Sequence, residues 1–491
     1  MRGARIIWRA LLPVAVGVLV LASTAVAGTY TQGALVLASG PSPFAGCTVG
    51  GPGTNYPNSE LEPFVSVSPA NPSNVIGVFQ QDRWDNGGAH GIIAAVSHNG
   101  GASWSETWPH FSTCAGGTAA NGGNYDRSSD PWVTFAPNGD AYFISLSASA
   151  DLLTSAVLVS KSTDAGDHWS EPTTLISERS AFHFNDKESI TADPTIASNV
   201  YAVWDRSRFP SENANFHALR SAAFRGPAMF SRTTDGGAHW SAPRNIMPTN
   251  ANLFTIGNQV AVLPDGSLVD VFELLRGSGR QPSPNQFTES LMRSTDKGLT
   301  WSRVLDIALD RSVAVRDPDT GAAVRTGAGL PDVAVDPNNG TTYVVWSDSR
   351  FSGGARDDVA LSKSTDGGRT WSRPIKVNQT PVPVAAFTPS VEVAADGTVG
   401  VTYYDFRNNT PAAGALTDAF IVHSHDGGAT WAENRLTPTS FDLEQAPIAR
   451  GYFLGDYEGL TSAGSTFMAF FTQAVTAPAN PTDVFFTTVG P

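Results

Sequence analysis

Cysteine, charge and helical periodicity are all scarce in this chain. Its 491 residues hold two cysteines and only 15% charged residues, with 31 Lys and Arg against 45 Asp and Glu, a net charge of −14. An acidic surface repels a phosphate backbone, which excludes nucleic acid as a partner. No segment sustains a 3.6-residue apolar period, and 47 Gly with 33 Pro is too turn-rich for a helical protein. No G-x-S-x-G, H-E-x-x-H or phosphate-loop pattern occurs. The nine histidines are scattered, and His98, His168, His239 and His425 fall in turns, so a histidine metal site is not expected. What the chain does hold is 41% hydrophobic and 10% aromatic residues, ample for a large core.

One phrase recurs six times: SHNGGASW (97–104), STDAGDHW (162–169), TTDGGAHW (233–240), STDKGLTW (294–301), STDGGRTW (364–371) and SHDGGATW (424–431). The tryptophan spacings are 65, 71, 61, 70 and 60 residues, so a fixed phrase sits in units whose loops vary. Asp followed by Gly is hairpin-turn chemistry: Gly supplies positive φ, and the carboxylate accepts nearby backbone N–H groups. Each phrase therefore reads as a turn between antiparallel strands, with a buried indole beside it.

Residues 1–27 read differently. Arg2, Arg5 and Arg9 precede the apolar run ALLPVAVGVLVLA (10–22) and an A-x-A site at Ala25–Ala27. This is the pattern of a signal peptide cleaved after Ala27. An uncleaved anchor is the alternative, but the run is shorter than the ~20 residues of a span. A secreted protein with no stable membrane insertion is expected. In an oxidising compartment Cys47 and Cys114 should pair, closing a long loop worth roughly 4 kcal/mol.

Pairs of apolar runs precede the turns, beginning at EPFVSV (62–67), DPWVTF (130–135), KESITA (187–192), NQVAVL (258–263), PDVAVD (331–336), PSVEVA (389–394) and YEGLTS (457–462). The last unit has no repeated turn and lacks a fourth strand, which GALVLAS (33–39) can supply. The expectation is an all-β fold: a β-propeller of four-stranded antiparallel blades, seven in number, with six as the alternative. Residues 28–61 form an N-terminal segment with the closing strand, and 62–491 the propeller.

Because each blade zigzags, the repeated turns share one rim and are scaffold. The opposite rim collects the ends of the second strands, with Asp82-Arg83, Asp205-Arg206, Asp348 with Arg350, and Asp405 with Arg407. It also collects the starts of the inner strands: Glu62, Asp130, Asp186-Lys187-Glu188, Asn258, Asp332, Ser390 and Asp456-Tyr457-Glu458. Arginine forks suit a carboxylate ligand, and carboxyl groups do acid–base work. Salt bridges tying neighbouring blades are the alternative for each Asp–Arg pair. RDPDTG (316–321) reads as a turn, with a Ca²⁺ loop as a second possibility; no other cofactor is expected.

The repeated phrase resembles the Asp-box (BNR) repeat of sialidases. Residues 45–489 resemble the secreted bacterial sialidase-like family, through stretches such as NDKESITADP, TPSVEVAADGTVGVTYYDFR and GYFLGDYEGLTSAG. The resemblance implies a glycosidase acting on terminal acidic sugars, with a glycan partner. It implies Tyr457 as nucleophile (Tyr404 second), Glu188 or Glu458 polarising it, Asp82 as acid/base, and Arg206, Arg350 and Arg407 as carboxylate clamp with Arg83 in reserve. The FRIP or YRIP motif of authentic sialidases is absent; Glu62-Pro63 stands there. A non-catalytic propeller binding a glycan or protein is the other class the sequence allows.

Overall fold

The computed structural model describes residues 30–209, 225–247, 253–276, 287–412, 414–477 and 479–491. The expected signal peptide lies outside the described residues. The fold is an all-β propeller. Its innermost strands are Glu60–Val67, Arg127–Phe135, His183–Ala192, Leu253–Val262, Asp332–Val335, Ala386–Val393 and Gly459–Ala463, each packed against the next and the last against the first. Among the described residues, each begins a unit of four antiparallel strands running outward.

The second strands explain why the apolar runs lack strict alternation. Val75–Arg83, Thr342–Asp348 and Val399–Asp405 are buried along their whole length, because each sheet is covered on both faces by its neighbours. The last unit takes its outer strand from the other end of the chain. Thr31 and Gln32 pair with Gly490 and Val489, and Val36 and Leu37 with Phe486 and Phe485. The disulfide Cys47–Cys114 then pins the following segment to the first unit.

The repeated phrase is a side-chain-built turn. Its first Ser or Thr donates to the carboxylate two residues on (in the first copy, to the Asn99 amide oxygen) and accepts the N–H of the second glycine; Ser364 does so with Asp366 and Gly368. That carboxylate also accepts the backbone N–H four residues on, here from Thr370 at 2.9 Å. The second glycine is obligatory: at Gly101, with φ +90°, a Cβ would lie 2.0 Å from Phe486. The six indoles, expected to be buried, are half-buried. They lie as shingles over the preceding unit: Trp104 packs on Phe470 and Phe486, Trp301 on Phe230, and the Trp169 N–H donates to Thr107. Asp317 in RDPDTG spends its oxygens on the N–H groups of Asp319 and Thr320 and on the Thr320 hydroxyl, closing a local turn.

We propose that each unit is one blade and the ring has seven. Deleting residues 30–39 should then bare the edge of Thr482–Gly490, lower the thermal midpoint and promote aggregation; an unchanged midpoint would count against closure by this strand. Trp371→Ala should cost about 2 kcal/mol in denaturant unfolding, below the ~3–5 kcal/mol of a fully buried aromatic.

Candidate functional site

The inner strands share a defect. In five of the units the register between first and second strands slips by one residue at the same place: between Leu61 and Phe64, Ser129 and Trp132, Asp186 and Ser189, Ile256 and Gln259, and Phe387 and Ser390. The bulged residue is left-handed each time: Glu62 (φ 54°), Asp130 (51°), Lys187 (46°), Gly257 (73°) and Thr388 (51°). Proline follows in three cases, which a bulge tolerates because the ladder bond is already lost. Outside glycine, each left-handed residue costs about 1–2 kcal/mol.

At the mouth of the ring two of these residues, Asp130 and Lys187, border a cleft of about 500 Å³. One wall is charged. Arg83, at the end of the second strand, is 3% exposed, and its Nε and Nη1 have no partner. Phe453 lies beneath both Arg83 (5.5 Å) and Arg325 (4.1 Å). A short parallel pairing of Val324–Arg325 with Tyr452–Phe453 brings these distant segments together. Arg325 grips Asp456 with Nε (2.9 Å) and Nη2. Arg127 is fixed by the carbonyls of Gly50, Gly87 and Pro52 and by Asn86, against the Trp84 ring. Burial, then the like charge of Arg83, pushes Arg127 down to about 10. Arg450, exposed at the rim, has no hydrogen bond or ion pair among the described residues.

Carboxyl groups face these cations. Asp130 accepts the Ser129 hydroxyl (3.0 Å) and the Lys187 N–H (3.2 Å). Asp186, in the cleft wall, is pushed up to about 7 by burial and by the Asp130 charge. Glu62, behind the wall and bonded to Gln80, is raised to about 8 by burial, Asp130 and Asp456. The apolar wall comprises Leu146, Ala148, Leu152, Phe184, Ile256 and Leu330.

The expected convergence of Asp82, Arg206, Arg350, Arg407 and Tyr457 on one cleft does not occur; of the expected clamp only Arg83 lines it. Asp82 turns to the N-terminal segment, accepting from Ser42, the Asn58 N–H and His90. Burial alone would raise its pKa, but these bonds hold it below the usual aspartate value, unsuited to proton donation. Arg206 is forked onto Glu178 of the preceding unit, and Asp205 caps the next unit's bulge through Thr255, Gly257 and Asn258. Arg350 closes on Asp348 and the Leu309 carbonyl, and Arg407 on Asp405 and Glu433. These arginines tie strands and units together.

Tyr457 lies beneath the cleft floor. Its hydroxyl reaches only the Pro131 carbonyl (3.4 Å), and burial, followed by Glu62 and Asp130, raises its pKa well above that of a free phenol. Glu188 is buried with both oxygens unpartnered, and Glu458 accepts the Thr472 N–H; neither bonds Tyr457. Tyr404 is buried against the Thr472 carbonyl. Among the described residues, Cys47, His90 and Cys114 are the one group of three potential metal ligands, and the disulfide uses both sulfurs.

No family model matches the chain. Over 203 residues, 37% of this chain and 29% of the relative, it is 30% identical to a sialidase of Micromonospora viridifaciens. Over 320 residues, 55% of this chain and 35% of the relative, it is 25% identical to a xyloglucanase of Hypocrea jecorina. Among solved structures, the Hadza microbial sialidase Hz136 aligns with 85% of this chain and 74% of its own, at 15% identity and a TM-score of 0.49. The chain spans about a third of the length of the curated relatives it matches. The propeller fold is thus joined by partial sequence similarity to sialidases, at 28–30% identity over 36–37% of this chain.

The two raised carboxyls set a pH dependence. Both folded-state values, about 7 for Asp186 and about 8 for Glu62, lie above those of the unfolded chain. The folded protein thus holds protons that the unfolded chain sheds, so this contribution to stability is lost as pH rises from about 4 to 8. Glu62→Gln should flatten the fall in urea midpoint over that window. An unchanged slope would show that Glu62 ionises normally.

Proposed function

We propose that the chain is a glycoside hydrolase of sialidase type, acting at the mouth of the ring on a saccharide that carries a carboxylate. The observation that supports this reading is Arg83: a buried guanidinium with free donors, lining the same cleft as a carboxyl group, Asp186, whose pKa is near neutrality. Arg83 and Arg450 would take the sugar carboxylate, since neither is committed to a protein acid. Arg325, clamped by Asp456, would complete the cationic wall. Asp186 is suited to protonate a leaving glycosidic oxygen, because a general acid works best with a pKa near the working pH. We further propose that residues 1–27 direct secretion.

A second reading, a binding module without turnover, is favoured by one observation: Tyr457 meets no hydrogen-bonded carboxylate and is a poor nucleophile as it stands. Fluorogenic glycosides of N-acetylneuraminate and glucuronate, with neutral arabinosides and xyloglucan fragments as controls, separate the two. Turnover confined to the acidic glycosides is expected, falling as pH passes about 7. Arg83→Ala should lower kcat/KM about 100-fold. Arg350→Ala should lower stability by about 3 kcal/mol, by stripping buried Asp348 of its partner, with kcat/KM per folded molecule unchanged. Binding of the acidic sugars without hydrolysis would establish the module; equal turnover of neutral glycosides would overturn the acidic-sugar reading.

A further inference from the structure

The chain has five lysines. Four have ordinary partners: Lys161 pairs with Asp140 (2.7 Å), Lys297 with Asp193 (2.9 Å), Lys376 with Asp358 (2.7 Å), and Lys363 donates to the Gly427 carbonyl (2.6 Å). Lys187 is the exception. It is 9% exposed, yet among the described residues its ammonium group has no hydrogen-bond acceptor and no carboxylate oxygen within 4.0 Å. It stands instead on aromatic faces, 3.5 Å above the Tyr457 ring centroid and 5.0 Å from that of Trp132.

Its position is equally unusual. Lys187 is the left-handed residue of the third inner-strand bulge, where the first two units carry Glu62 and Asp130. It borders the cleft above and a small axial cavity of about 20 Å³ below, so it forms the floor between them. A lysine serving only as internal counter-ion would rest against one of the carboxylates around it, as Lys161, Lys297 and Lys376 do. Here the chain keeps a strained backbone residue and a buried cation whose donors meet no protein acceptor, in a side chain that lines the open cleft. The rings beneath supply cation–π stabilisation but no oxygen acceptor, so the group can still donate to a ligand oxygen.

We propose that Lys187 is a ligand-binding residue, taking an anionic oxygen of the carboxylate class at the cleft floor, with Tyr457 and Trp132 as its pedestal. This gives Tyr457 a role in place of nucleophile: it holds the ammonium group from below. The inference rests on the reading that the cleft takes an acidic saccharide.

The test uses the whole protein with free N-acetylneuraminate and glucuronate as probes, glucose as neutral control, and calorimetric titration. Lys187→Met keeps the aliphatic stem over the rings and removes the charge. It should weaken both acids by at least about tenfold, about 1.4 kcal/mol, with the thermal midpoint within a few degrees of wild type; Lys187→Arg should restore most of the affinity. In parallel, reductive methylation with ¹³C-formaldehyde labels all five lysines and keeps their charge. The Lys187 resonance should move on adding either acid and stay still with glucose. If the acids bind wild type and Lys187→Met alike and the resonance is unmoved, the inference is overturned while the function reading stands. If neither acid binds, that reading falls, and acetate titration decides Lys187 alone: a shift confined to its resonance sustains the site, and none overturns it. Should Lys187→Met fail to fold, the wild-type resonance decides by itself, a shift with the acids sustaining the site and a still signal overturning it.

Discussion

A strand that carries one residue too many must put it somewhere, and in this ring five inner strands put it at the same height. The left-handed φ of that residue turns its side chain out of the pleat toward the mouth. Asp130 and Lys187 reach the cleft this way, Glu62 stays behind its wall on Gln80, and Asp186 stands beside the third bulge. Without the slip these residues would alternate between the faces of sheets buried on both sides, where a charge has no water and no ligand. The strain is tolerated because the neighbouring units clamp the bulges: Asp205 accepts the Gly257 N–H, and Asp130 accepts that of Lys187.

The charges follow from that placement. Cations and carboxyls gather at the mouth faster than they can pair. Asp456 satisfies Arg325, and carbonyl groups of the N-terminal segment help satisfy Arg127. Arg83, Arg450 and Lys187 remain uncommitted, and Asp186 and Glu62 meet the crowding by holding their protons. A buried unpaired charge is costly in a folded protein. Arg83 and Lys187 are buried in this way, and with the exposed Arg450 they border an open cleft, which makes that cleft the place where binding would recover most.

Elsewhere the same residue types do the opposite work. Asp205, Asp348, Asp405 and Asp418 are fully buried, and each is surrounded by donors from its own or an adjoining unit. Removing one partner would strand the other, so these pairs lock the ring rather than serve a ligand. On the far rim the repeated turns make a complementary lock, each carboxylate completing its own loop while each indole shingles the unit before it.

Much of this is legible in the residues. The repeated turn, the apolar runs and the orphan strand near the N-terminus are local patterns, and local patterns determine the strands, the four-stranded units and their outer turns. The starts of the inner strands can be read as a set facing the mouth, since strand parity follows from counting reversals. Which charged groups meet is not legible. Asp82-Arg83 reads like Asp405-Phe406-Arg407, yet Arg83 opens into the cleft and Arg407 closes on Glu433. Arg325 and Arg450 lie in irregular connections with no period to mark them, and a two-residue parallel pairing delivers them to the site. The chain alone determined the units and the rim each residue occupies, because turn chemistry and strand alternation act over a few residues. Tertiary structure decided which charges are paired and which are left open, because a salt bridge depends on the distance between side chains that only packing brings together.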